Sequence, residues 1–136
     1  MELLNYPKTD YLIDSSLELL HAQSVEWLNV LAFWADEMTF FYHLLHHKQL
    51  AKALPASQVA EIEKELVKLN GEELDRVRAG VRSHERLLAA VYKSNSKADD
   101  QVYRESHMKL HDEMGMLRRA VITFKRSLFA FIQDHQ

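Results

Sequence analysis

From Pro7 to Pro55 the chain contains neither glycine nor proline, and Pro55 is its last proline. With 3 glycines and 2 prolines in 136 residues it has too few turn formers for an all-β or α/β protein, which needs a turn roughly every ten residues. The pattern therefore predicts an all-α protein.

The few breakers divide the chain into three. Pro55 interrupts at Ala53-Leu54-Pro55-Ala56-Ser57, and Lys93-Ser94-Asn95-Ser96-Lys97 is a cluster of turn formers. A first helix is expected from Ser15, where Ser15-Ser16-Leu17-Glu18 has a capping-box pattern, to about Lys52. A second is expected from about Ser57 to Tyr92, with Gly71 and Gly80 inside it, and a third from near Ser96 to about Gln133. Short loops force antiparallel neighbours. The expected architecture is an antiparallel up-down-up bundle of three long helices, four-helix-bundle-like, completed by the N-terminal segment or by a second subunit. In this reading residues 1–14 form a leader that packs on the bundle, and residues 15–136 form one helical-bundle domain.

Composition removes several function classes. Lys and Arg number 17 against 20 Asp and Glu, a net charge of −3, which argues against a nucleic-acid binder. Without cysteine there are no disulfides, thiolate zinc sites, iron–sulfur clusters or cysteine nucleophiles. Gly-rich phosphate loops, nucleophile elbows and dinucleotide fingerprints do not occur. The longest apolar run, Val30 to Ala35, is far short of the ~20 residues that span a bilayer, and the polar faces lack the cation excess of a membrane-surface helix. Nothing at the start reads as a signal peptide, so a cytoplasmic location is expected.

At helical spacing, the second segment gives a stripe of Val59, Ile62, Leu66, Leu69, Val77, Leu87, Leu88 and Val91. The third gives Val102, Tyr103, Leu110, Met114, Leu117, Val121, Phe124 and Leu128. The first segment carries more than one stripe. Beside Leu17, Leu20, Trp27, Leu28, Leu31, Trp34, Met38, Phe41 and Leu45 it has Val30, Phe33, Phe40 and Leu44, an apolar arc of about 200° where a surface helix shows about 100°. Two neighbouring helices cannot cover that arc. The surplus points to cover by the leader or to self-association, most simply a two-fold homodimer, with another protein as the other partner.

Polar residues interrupt the stripes: Ser24, Asn70, Glu73, His84, Ser106 and Glu113, with Glu26 and Glu37 on the flank of the first helix. A buried carboxylate needs an ion pair, a proton or a cation. Counting back from the loops puts Glu37 near Glu73, and His84 level with Ser106 and His107 on one side and Ser24 and Trp27 on the other. Glu37, Glu73, His84, His107 and Glu113 are thus the candidate ligands of a divalent iron, manganese or zinc ion held in a bundle core. The competing reading is a structural polar network. A ligand pocket lined by Trp27 and Trp34 is a third. His43 and His47 share i, i+4 spacing but fall on the polar face with His21.

The run from Trp27 to Phe41, Trp-Leu-Asn-Val-Leu-Ala-Phe-Trp-Ala-Asp-Glu-Met-Thr-Phe-Phe, resembles small uncharacterised bacterial helical-bundle proteins, as does Ser83-His84-Glu85-Arg86. That resemblance implies a helical bundle without an assigned activity, and it draws attention to Glu37 and to His84-Glu85. His107-Met108-Lys109-Leu110-His111 resembles one element of hemerythrin-like bundles, although their His-x-x-x-Glu does not occur. Ferritin-like carboxylate sites need Glu-x-x-His twice, and only Glu18-Leu19-Leu20-His21 fits. The sequence alone therefore leads to a non-enzymatic bundle acting by self-association or protein–protein contact, without catalytic residues. Its alternative is a metal-binding bundle with a Glu/His core site.

Overall fold

The computed structural model describes residues 16–135. All of the regular structure among them is helical: α1 Leu17–Leu45, α2 Lys48–Ala53, α3 Ala56–Lys68, a π-helical turn Leu69–Leu74, α4 Asp75–Ser94 and α5 Lys97–Asp134. The chain is an all-α helical bundle of three long helices, the middle one bent and formed by α3, the π turn and α4. The leader over residues 1–14, and with it the proposed cover of α1, lies outside the described residues.

Each boundary has a local cause. The Ser16 hydroxyl, one residue later than the expected cap, accepts the Leu19 amide at 3.1 Å and so satisfies one of the orphan donors of the first turn. α1 ends at Leu45 rather than near Lys52. The His46 and His47 amides reach back only three residues, to His43 O and Leu44 O at 3.1 Å, which tightens the last turn and stops the helix. The His46 ring is then tied to Glu63 Oε2 on α3 at 2.8 Å. Pro55 opens α3 with φ −63°, and its carbonyl takes the Gln58 and Val59 amides. Asn95 closes α4 in the left-handed conformation, φ 52°, with its amide on Val91 O at 2.9 Å. Asparagine tolerates that region better than other non-glycine residues. Ser96 then caps α5 by accepting the Asp99 amide at 3.3 Å.

The π turn corrects the reading of the middle helix. An unbroken α-helix through Leu66 and Leu69 puts Glu73 on the core face. One extra residue in the turn moves Leu74 there instead, fully buried, and leaves the Glu73 side chain 40% exposed against Arg76. The core stripe continues in the new phase through Val77, Val81, His84, Leu88 and Val91. Leu87, which the uninterrupted count put inside, is exposed.

The helices contribute to two compact units. The first joins α1 up to Asn29 to Val77–Met114. Here α4 and α5 run antiparallel: a Cβ on Gly80 would lie 3.3 Å from Leu110 Cδ2, while four residues further along α4, His84 meets His107. Its apolar cluster is Leu20, Leu88, Val91 and Tyr103, with Leu17 and Met108 packed against it. The second unit joins Val30–Arg76 to the stretch from Gly115 onward. It buries Leu31, Trp34, Met38 and Phe41 from α1, Leu66, Leu69 and Leu74 from the bent helix, and Leu117, Val121, Phe124 and Leu128 from α5. Among the described residues no helix is long and apolar enough to cross a membrane.

Candidate functional site: a buried histidine pair

Among its described residues the first unit buries the polar side chains Ser24, His84 and His107. They lie where the apolar stripes of α1, α4 and α5 would otherwise continue, one helical turn on from residues of the core.

The two imidazoles face each other, with His84 Nε2 2.9 Å from His107 Nδ1. Their outer nitrogens are also engaged. His84 Nδ1 is 2.9 Å from Ser106 Oγ, and His107 Nε2 is 2.8 Å from Gln23 Oε1. One aromatic ring stacks on each imidazole. Tyr103 stacks on His84 at 4.2 Å and 5°, and Trp27 stacks on His107 at 4.5 Å and 26°.

These contacts fix where the protons are. Burial pushes His84 down to about 4. Burial, together with the nearby His84 and His111, pushes His107 down to about 3. Both rings are therefore neutral at neutral pH, each with one N–H and one lone pair. Gln23 Oε1 can only accept, so His107 Nε2 carries a proton and His107 Nδ1 is the acceptor. His84 Nε2 then donates to His107, and the Ser106 hydroxyl donates to His84 Nδ1. Three hydrogen bonds run in one direction, from Ser106 through both histidines to Gln23.

A second polar pair lies in the same unit. His21 Nδ1 on α1 is 2.5 Å from Glu85 Oε1 on α4. The other Glu85 oxygen and the Tyr103 hydroxyl are buried without a hydrogen-bond partner among the described residues. Ser24 lies near that phenol but sends its own proton to Leu20 O at 3.2 Å. Burial, and the Glu85 charge after it, raise the Tyr103 phenol above its ordinary range.

Of the five candidate ligands, the structure brings His84 and His107 into direct contact. Glu113 belongs to the same unit and is half-buried. Glu37 and Glu73 belong to the second unit and take separate partners. Glu37 accepts Lys125 Nζ at 3.1 and 3.2 Å, and Glu73 pairs with Arg76 at 3.4 Å. Among the described residues no group of three or more His, Asp and Glu is gathered so as to hold a metal ion. The level expected for His84, beside Ser106 and His107, matches the structure. Gln23 carries no sequence signal, because an amide on the flank of a stripe reads as solvated. His111, expected further out, has a side chain only 14% exposed. Comparison of the chain with protein-family models, curated proteins and solved structures gives no match.

Proposed function

We propose that the chain is a metal-binding helical bundle whose centre is the His84–His107 pair, taking a divalent transition ion, zinc before iron or manganese because the ligands are imidazoles. The supporting observation is the 2.9 Å between His84 Nε2 and His107 Nδ1, with the outer nitrogen of each ring already on an oxygen. Two nitrogens at ~2.0–2.1 Å from one zinc ion subtend that separation at roughly a right angle. To free its Nε2 for the ion, His84 takes its other tautomer, its proton passing from Nε2 to Nδ1 while the Ser106 hydroxyl turns from donor to acceptor. Each outer N–H then donates, His84 Nδ1 to Ser106 Oγ and His107 Nε2 to Gln23 Oε1, which is how second-shell oxygens orient metal-bound histidines. Because burial keeps both rings neutral, protons compete weakly for the two ligand positions. Glu37 and Glu73, engaged by Lys125 and Arg76, take no part, and water supplies the positions the two histidines leave. The test is elemental analysis of tag-free protein grown with supplemented metals. Near-stoichiometric zinc that disappears in the His84→Gln/His107→Gln double variant is expected. Trace amounts of every transition metal, or a content unchanged in that variant, would remove the proposal.

A second reading rests on a different observation. Phe33 and Phe40, seven residues apart on one side of α1, are each 61% exposed. Phe40 and the half-exposed Phe129 both border the buried Phe41, at 5.8 and 5.6 Å. We infer that this aromatic face is where two copies associate. Sedimentation should give at least twice 15.9 kDa, and a strict monomer at micromolar concentration counts against it.

A further inference from the structure

The second unit has a groove of about 480 Å³ between the bent helix and α5. Its polar lining is Glu65, Lys68 and Glu73 on one side and Arg119, Thr123 and Ser127 on the other. Its floor is apolar, made by Leu69 and Phe124. The volume is that of a small-molecule site, which runs from ~300 to ~1,000 Å³.

Two features separate this groove from a solvated surface of mixed charge. The first is the state of its donors. Arg119, Thr123 and Ser127 follow one another at i, i+4 and i+8, so a single face of α5 presents a guanidinium and two hydroxyls. A hydroxyl inside a helix either bonds the carbonyl four residues back, as Thr39 does with Ala35 O at 3.1 Å, or faces outward. Thr123 and Ser127 make no such bond, and among the described residues neither Lys68 nor Arg119 has an ion-pair partner. The four donors line the groove, exposed, with no acceptor among the described residues. The second feature is the π turn. It carries Leu69 and Glu73, and its extra residue sets one at the floor and the other at the rim. Such turns recur at functional sites because they re-aim side chains that an α-helix would bury or expose.

The charges define the occupant. Glu73 is compensated by Arg76. That leaves Lys68 and Arg119 against Glu65, a balance that favours a carboxylate but places an unpaired acid beside it. A dianion such as a phosphate ester would leave one negative charge uncompensated beside Glu65. A neutral lipid would leave the cations idle. A molecule with one carboxylate, one ammonium and a hydrocarbon body satisfies all three parts of the lining.

We propose that this groove binds a free α-amino acid with an apolar side chain. The carboxylate sits on Arg119 and Lys68 with help from the Thr123 or Ser127 hydroxyl, the ammonium faces Glu65, and the side chain lies over Leu69 and Phe124. Arginine gives the carboxylate a two-pronged bond that lysine cannot. The site lies in the second unit and is independent of the histidine pair and of metal content.

The test is a titration followed by amide NMR on the full chain, with three probes: L-leucine, N-acetyl-L-leucine and L-leucine amide. L-leucine should shift the amides of residues 68–73 and 119–127, with the remaining amides unmoved. Each blocked form removes one charge and should bind at least about tenfold more weakly, a step of ~1.4 kcal/mol. Arg119→Gln, a change at an exposed position, should weaken L-leucine by a similar factor and leave the already weak amide unchanged. Circular dichroism verifies that the variant keeps its helices. Lack of any shift at about 10 mM L-leucine, the weak end of specific small-ligand binding, would overturn the proposal. So would equal binding of the blocked forms, which would reduce the groove to a nonspecific apolar slot.

Discussion

Leu69 and Leu74 are five residues apart, and both are buried. On an α-helix that spacing separates two side chains by about 140°. The π turn absorbs the extra residue and brings both to one core. Deleting Gly71 restores i, i+4 spacing between these leucines. The deletion should fold with unchanged helix content and with stability at or above that of the parent. Inserting one alanine after Gly71 throws Leu74 and Val77 out of phase and should cost more than about 3 kcal/mol, the scale of losing core leucines. Urea unfolding of the three proteins tests both halves.

The glycines of the bent helix should respond unequally to alanine. A Cβ at Gly71 meets nothing within 4 Å, so Gly71→Ala should stabilise by roughly 0.5–1 kcal/mol through the unfolded chain. At Gly80 the same atom lies 3.3 Å from Leu110 Cδ2 inside the core, and the gain should fall to near zero. Paired denaturation midpoints decide it. Equal gains would mean that Leu110 yields freely.

The buried histidines give stability a definite pH dependence. In the folded protein His84 is held at about 4 and His107 at about 3, both below the ordinary histidine value of 6.5. Between these values the unfolded chain binds more protons than the folded one, so stability is fully present above pH ~6.5 and falls as pH is lowered. The slope should approach roughly 1.4 kcal/mol per pH unit for each histidine. Urea midpoints at several pH values between about 5 and 7 measure it above most carboxylate titrations. His84→Gln/His107→Gln should flatten the profile. A slope that survives in the double variant would place its origin elsewhere.

The histidine pair should also be energetically coupled. Truncating one ring leaves the buried nitrogen of the other without its partner, at ~1–3 kcal/mol. Removing both spares that penalty. A double-mutant cycle with His84→Phe and His107→Phe should return a coupling of roughly 0.5–3 kcal/mol, and strict additivity would contradict the shared hydrogen bond.

Phe33→Ser/Phe40→Ser should convert any dimer to monomer without loss of helix content, because both side chains are largely exposed. Sedimentation beside circular dichroism reads both quantities. A dimer that persists in this variant would assign the interface to another surface.

The helices and the histidine level were legible in the sequence for a simple reason. Breakers are so sparse that Pro55 and the Ser94-Asn95-Ser96 cluster mark the two turns joining the long helices, and counting from the second turn brings His84 opposite His107. The role of Glu73 was not legible. Its placement depends on one extra residue in a helical turn, and the signal was the 3, 5, 3 spacing of Leu66, Leu69, Leu74 and Val77, which a constant 100° step smooths away. The end of α1 was equally hidden, since His46-His47 is no intrinsic breaker and the stop is held by a contact with Glu63, seventeen positions later. Glu37, on the flank of the first helix, reads as a candidate ligand until Lys125 appears beside it, and a long-range ion pair leaves no local trace.

Neither unit is a contiguous stretch of polypeptide: Leu20 is packed by Leu88, Val91 and Tyr103, which the ribosome makes more than a helix length later. During synthesis the early apolar stripe of α1 must wait, uncovered, while the whole intervening segment emerges. No single cut therefore excises one unit intact, and a chain halted before α5 would expose its grease to chaperones rather than settle into a half-sized fold.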